Sequence, residues 1–227
     1  MLPPWHGWLE SLRRAWRITL GNAATAGWME TFLCEEDYGV YLALMKTWCD
    51  RHRVRIQAYR LMPNHVHLIA VPETLEGLSR AIGEAHQRYT RHINFREGWR
   101  GYLWQGRFAS FVMDEDHFPA ALRYVELNPV RAGLVDKPRD WPRRSAHAHL
   151  SGEADPLLSD MAGMIDYTGD WEAYLALDIE ETQLRALRGD IGTTSSSICS
   201  YIHPWSGFGN CERIPRAILQ IHRSKRF

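Results

Sequence analysis

The stretch Met62-Pro63-Asn64-His65-Val66-His67-Leu68-Ile69-Ala70-Val71 decides the fold. Pro63-Asn64 is a turn signal, and His65–Val71 behind it is an apolar run of strand length. Ahead of the turn, Val54-Arg55-Ile56-Gln57-Ala58-Tyr59-Arg60 alternates in character and reads as a second strand. Two strands this near in sequence pair as an antiparallel hairpin. On either side the period changes. Tyr38, Leu42, Met45 and Cys49 recur at helical spacing and predict a helix over Glu35–Arg51. Leu75, Leu78, Ile82, Tyr89 and Ile93 form the apolar stripe of another. An aromatic, glycine-rich loop from Gly98 to Gly106 leads to a further strand over Phe108–Met113. Asp114-Glu115-Asp116 supplies an acidic helix start, and Pro129, which disfavours helical backbone just before it, sets the expected end at Asn128. Helix, hairpin, helix, strand, helix is an α+β pattern around a small antiparallel sheet.

A chain of 227 residues buries one good core, so one catalytic domain with a small appendage is expected. Hydrophobic content of 45% and charged content of 24% are those of a soluble globular protein. No apolar run reaches a membrane-spanning length, and the opening Met1-Leu2-Pro3-Pro4-Trp5 lacks the layout of a signal peptide. Cys34, Cys49, Cys199 and Cys211 form no metal-ligand spacing and read as reduced thiols of a cytoplasmic protein. The net charge is zero, which argues against a protein that simply coats nucleic acid. Its distribution is less neutral: every basic residue from Arg51 to Arg107 is an arginine, and every charged residue from Glu153 to Glu181 is acidic. A basic middle points to an anionic ligand. The expected organisation is an atypical N-terminal segment over 1–29 and a main domain over 30–150. An acidic helical extension over 151–188 and a linker with a basic tail over 189–227 follow.

His65 and His67 lie two apart in a strand, so both imidazoles leave the same face of the sheet, as two ligands of one ion must. Alone, the pair is a weak signal; two half-exposed histidines at a strand end is the plainer reading. Tyr124 and Asn128 are four apart on the last helix and share one face. Asn128 offers a carbonyl oxygen to a cation and Tyr124 a phenolic nucleophile, although a core tyrosine and a capping asparagine are respectable alternatives. Together the four define a site in which a divalent ion would polarise a phosphate and Tyr124 would attack it. Histidine plus amide ligation suits Mn²⁺ or Mg²⁺ with open positions; a closed zinc site would need a fourth protein ligand. Arg55, Arg60, Arg88, Arg91 and Arg107 are candidate phosphate contacts, and Tyr102 and Trp104 could stack on unpaired bases.

These residues carry a resemblance. Met62–Ile69 resembles the His-hydrophobic-His motif of single-tyrosine (HUH) transposases of small bacterial insertion sequences. Trp104-Gln105-Gly106-Arg107-Phe108 and the run Arg123-Tyr124-Val125-Glu126-Leu127-Asn128-Pro129-Val130-Arg131-Ala132-Gly133-Leu134-Val135 resemble the branch called REP-associated tyrosine transposases. The resemblance implies a ferredoxin-like antiparallel sheet with helices packed on it. It also implies an ion held by His65, His67 and Asn128, Tyr124 as nucleophile, and single-stranded DNA beside a hairpin as substrate. The expected reaction is cleavage and strand transfer through a 5′-phosphotyrosine, and a homodimer exchanging the tyrosine helix is an assembly known in this fold. The chain departs from the family at its opening, where Trp16-Arg17-Ile18-Thr19-Leu20-Gly21-Asn22-Ala23 stands in place of a strand like Tyr-His-Val-Thr-x-Arg-Gly-Asn. An incomplete sheet is the corresponding expectation, and with it a competing reading as a hairpin-binding remnant that does not cut. A zinc hydrolase built on His65 and His67 is the third reading.

Overall fold

The computed structural model describes residues 30–104, 108–112, 118–143, 145–159, 164 and 167–177, together with the backbone of 16–21. Strand β1 (Trp16–Gly21) precedes helix α1 (Glu35–Arg51), strands β2 (Val54–Met62) and β3 (His65–Pro72), helix α2 (Leu75–Glu97), strand β4 (Ala109–Val112) and helix α3 (Phe118–Arg131). The sheet runs β2-β3-β1-β4 with every neighbouring pair antiparallel. This is the β-α-β-β-α-β arrangement of ferredoxin-like folds. The expectation of an incomplete sheet is corrected: β1 lies between β3 and β4, with Thr19 opposite His67 and Gly21 opposite His65. Ladder pairing uses backbone groups, which any non-proline sequence can supply.

The pleat sorts the two cores. Val54, Ile56, Tyr59, Leu61, Val66, Leu68 and Ala70 pack with the buried faces of α1 and α2. Ala58, Ile69 and Val71 pack on the opposite side with Phe118, Ala121, Leu122 and Val125 of α3. The two sets alternate along each strand apart from a bulge between Ile56 and Ala58, where the register shifts.

On α1 the buried face is Asp37, Tyr41, Met45, Trp48 and Cys49, one step round the helix from the expected stripe, whose Tyr38 and Leu42 are only half-buried. The face includes Asp37 because Arg96 of α2 donates to its carboxylate at 3.0 Å and the Leu33 amide at 2.8 Å. Burial alone would raise that carboxyl; the Arg96 and backbone bonds hold it below the usual carboxylate value. Thr74 caps α2 by accepting from the Gly77 amide at 3.0 Å, and Gly98, with φ of 67°, ends it. Gly77 is required by close approach: a Cβ there would stand 2.7 Å from the His52 carbonyl.

Helix α3 does not stop at Asn128 but continues through Pro129 to Arg131. Beyond it the chain returns along the outer edge of β2. The Leu61 amide donates to the Arg143 carbonyl at 3.0 Å, Ser145 N to Tyr59 O at 3.1 Å, and Ser159 N to Ile56 O at 2.9 Å, so the edge is covered. Beyond α3, α4 (Ala146–Ser151) and α5 (Trp171–Ala176) are helical, and Leu158 forms a parallel bridge to Ile56 of β2. Trp171, Tyr174 and Leu175 join the α3 core, where the Tyr174 hydroxyl donates to the Pro119 carbonyl at 2.8 Å. Cys34 and Cys49 are free thiols. Among the described residues no helix is long and apolar enough to cross a membrane.

Candidate active site

The β2–β3 hairpin and α3 together bring four side chains to one place. His65 opens β3 and His67 follows on the same face, their rings perpendicular with centroids 4.8 Å apart. Asn64, in the turn, accepts from His65 Nδ1 at 2.7 Å. A hydrogen on Nδ1 leaves the lone pair of His65 on Nε2, the nitrogen a ligand would use. Burial pushes the His65 imidazole down to about 4, so the ring is neutral at pH 7, the form that ligates cations.

Helix α3 crosses above. Its Asn128 amide lies 3.0 Å from His67 Nε2, and the Tyr124 ring stands perpendicular to the His67 ring at 5.9 Å. Small Ala120 and Ala121, one turn before Tyr124, are buried and let the helix lie close to the sheet. Tyr124 is 8% exposed, and the Arg131 guanidinium sits over its ring at 5.7 Å.

The donor set fits a small divalent ion. Rotated by half a turn, the Asn128 amide presents Oδ1 where Nδ2 now stands. A spacing of 3.0 Å then matches neighbouring ligands around a six-coordinate ion with bonds of about 2.1 Å. Among the described residues no group of three or more His, Cys, Asp or Glu gathers to hold a metal.

The other candidates scatter. Arg60 is not a phosphate contact: it is fully buried and pairs with Glu126 at 3.0 Å, because an interior carboxylate from α3 neutralises it. Trp104 is not a base-stacking platform: it is 6% exposed, with its ring 4.6 Å from that of His86 inside the α1–α2 core. Arg55 is half-buried, opposite Val71 at the far end of the sheet from His65. Arg88 and Arg91 are exposed on α2, across the sheet from the tyrosine. With His92, Phe95, Trp99 and Arg100 they line an open groove of about 880 Å³. Arg88 lies over the Trp48 ring at 4.6 Å, and Tyr102 is 64% exposed. Arg107 lies outside the described residues.

Three neighbours of the site escaped the sequence reading. Asn64 was visible only as a turn residue, although it directly precedes His65. Arg131 lies seven residues, two helical turns, after Tyr124, a spacing that could have revealed it. Glu126 gave no local signal.

Comparison with known proteins gives the chain's relatives. Residues 30–128 match the family model described as transposase IS200 like. Two curated proteins described as REP-associated tyrosine transposases are similar. The one from Haemophilus influenzae is 27% identical over 122 residues, covering 49% of this chain and 69% of the relative. The one from Escherichia coli is 26% identical over 129 residues, covering 56% and 70%. Among solved structures, a REP-associated tyrosine transposase bound to a REP hairpin superposes with a TM-score of 0.53 at 20% identity. That match covers 65% of this chain and 86% of the other, and it shows the shared fold.

Proposed function

From the match of residues 30–128 to the family model described as transposase IS200 like, we propose that this protein cuts and rejoins single-stranded DNA beside a hairpin through Tyr124. The observation that carries the reading is the convergence of His67, Asn128 and Tyr124 within one chain, at 3.0 Å and 5.9 Å. His65, His67 and Asn128 would hold Mg²⁺ or Mn²⁺, which when bound supplies Lewis-acid polarisation of the scissile phosphate. The Tyr124 oxygen attacks phosphorus; the P–O3′ bond breaks, and the proton given up by the phenol ends on the leaving 3′ oxygen. The product is a 5′-phosphotyrosine with a free 3′-hydroxyl. Attack by another 3′-hydroxyl reverses the step and regenerates the phenol, which is strand transfer. Arg131 places a positive charge beside Tyr124, where phosphate charge needs balancing.

A REP hairpin is the ligand of the superposable transposase, and a hairpin of that kind is the substrate assigned to this chain. Arg88 and Arg91, with Tyr102 in the neighbouring loop, are the exposed candidates to touch it. Incubation of a radiolabelled hairpin having single-stranded flanks with Mn²⁺ or Mg²⁺ tests the reading. A covalent adduct is expected with the wild type and absent in Tyr124→Phe, while hairpin binding survives. An adduct undiminished in Tyr124→Phe refutes the nucleophile; hairpin binding without any adduct leaves a binding protein that does not cut.

A further inference from the structure

Arg60 stands directly across the β2–β3 ladder from His67, so both side chains leave the same face of the sheet. Glu126 sits in the turn of α3 between Tyr124 and Asn128. Arg60 Nη2 donates to the Glu126 carboxylate at 3.0 Å and also to the Glu126 backbone carbonyl. Both side chains are wholly buried. The Ser145 hydroxyl donates to the other carboxylate oxygen, and His149 Nδ1 lies 3.5 Å from it.

A buried ion pair is a poor way to gain stability, since apolar side chains of similar volume commonly do as well or better. What it provides is direction. A planar guanidinium engaging a carbonyl and a carboxylate together fixes both position and rotation, which apolar packing does not. The turn it grips is the one least held by its own ladder: Pro129 has no N–H for the Val125 carbonyl, one residue before Glu126. The helix end also carries partial negative charge, which the guanidinium complements.

We propose that Arg60 and Glu126 are positioning residues, a buried clamp that sets α3 against the hairpin so that Tyr124 and Asn128 meet His67. The inference rests on the transposase reading for its effect on cleavage, but the clamp itself is measurable without cleavage. The test is the full chain carrying Arg60→Met with Glu126→Leu. Its unfolding midpoint in urea is expected to match or exceed that of the wild type, and hairpin binding to persist. Amide exchange over 124–128 is expected to quicken, and Mn²⁺ affinity and the rate of adduct formation to fall, each about ten- to hundredfold. Glu126→Gln keeps an acceptor for Arg60 but leaves its charge unbalanced in the interior, so it should retain more of the rate than the apolar pair while unfolding at lower urea. If the apolar pair does not fold, Arg60→Lys carries the same test, because it keeps the charge but replaces the planar group whose Nη2 makes both bonds with a freely rotating ammonium. Wild-type exchange over 124–128 in the folded variant overturns the clamp. A wild type that forms no adduct overturns the transposase reading instead, and the exchange measurement still decides the clamp.

Discussion

Trp104 and Tyr102 are two residues apart in one loop and should answer to truncation in opposite ways. Trp104 is 6% exposed, with its ring 4.6 Å from His86 and 6.0 Å from both Tyr41 and Tyr89. Trp104→Ala removes that packing and leaves a cavity among rigid rings, which costs about 3–5 kcal/mol. The indole N–H has no hydrogen-bond partner among the described residues. Trp104→Phe therefore gives up no bond, removes a buried unmatched donor, and should cost less than about 2 kcal/mol. Tyr102, at 64% exposure, should change stability by no more than about 0.5 kcal/mol when cut to alanine. Urea unfolding followed by far-ultraviolet circular dichroism reads all three, and against a domain stability of about 5–15 kcal/mol the difference is plain. Hairpin affinity, measured where each variant is folded, should be unchanged in Trp104→Phe. A Trp104→Ala loss below about 1 kcal/mol would refute the core assignment. So would a Trp104→Phe protein that unfolds like the wild type but no longer binds DNA.

Three further outcomes follow from the geometry. His86 is buried against the Tyr41 hydroxyl at 2.9 Å, and burial pushes it down to about 3. The unfolded chain therefore binds a proton there that the folded chain does not, and stability is lost as pH falls from about 6.5 toward 3. Relative to His86→Gln, the wild type should lose up to about 3 kcal/mol between pH 7 and 4.5 in urea titrations; parallel pH profiles would remove His86 as the cause. Asn64→Ala frees the His65 ring to turn, so Mn²⁺ affinity by calorimetry should fall about ten- to hundredfold with the melting temperature preserved, and an unchanged affinity would deny Asn64 that role. Arg88→Ala and Arg91→Ala should each lower the slope of log affinity against log salt by about 1 if they touch phosphate, whereas an unaltered slope would place the hairpin elsewhere.

Both long helices were legible because burial on one face repeats with a period that a short window contains, and the hairpin because two runs of strand length flank a turn signal. Val54–Arg60 and His65–Val71 needed no knowledge of their neighbours. The errors share a cause. Arg60 reads as a surface cation until Glu126, 66 residues later, is seen to enter the interior with it. Asp37 is hidden for the same reason, its partner Arg96 lying 59 residues away. Trp104 stands in a loop with no period, so nothing local separates a core indole from a binding platform. At Pro129 a sound local rule gave way: the preference against helix before proline is small beside contacts that hold both ends of the turn.

The site's proximity to those contacts also bears on whether cleavage needs a second subunit. Tyr124 and Asn128 face His67 within one chain, and the helix carrying them is tied to its own strands by Arg60 and to its own extension by Ser145 and Tyr174. Exchange of α3 between two copies would have to release all of these and remake them on the partner. The equilibrium cost would be small, since every contact recurs, but the intermediate would expose the apolar packing of Ala58, Ile69 and Val71 against α3. That barrier would make exchange slow rather than unfavourable. Mixing a Tyr124→Phe chain with a His67→Ala chain measures it. Prompt adduct formation by the mixture would mean that the helix passes between subunits freely and that the clamp does not hold it.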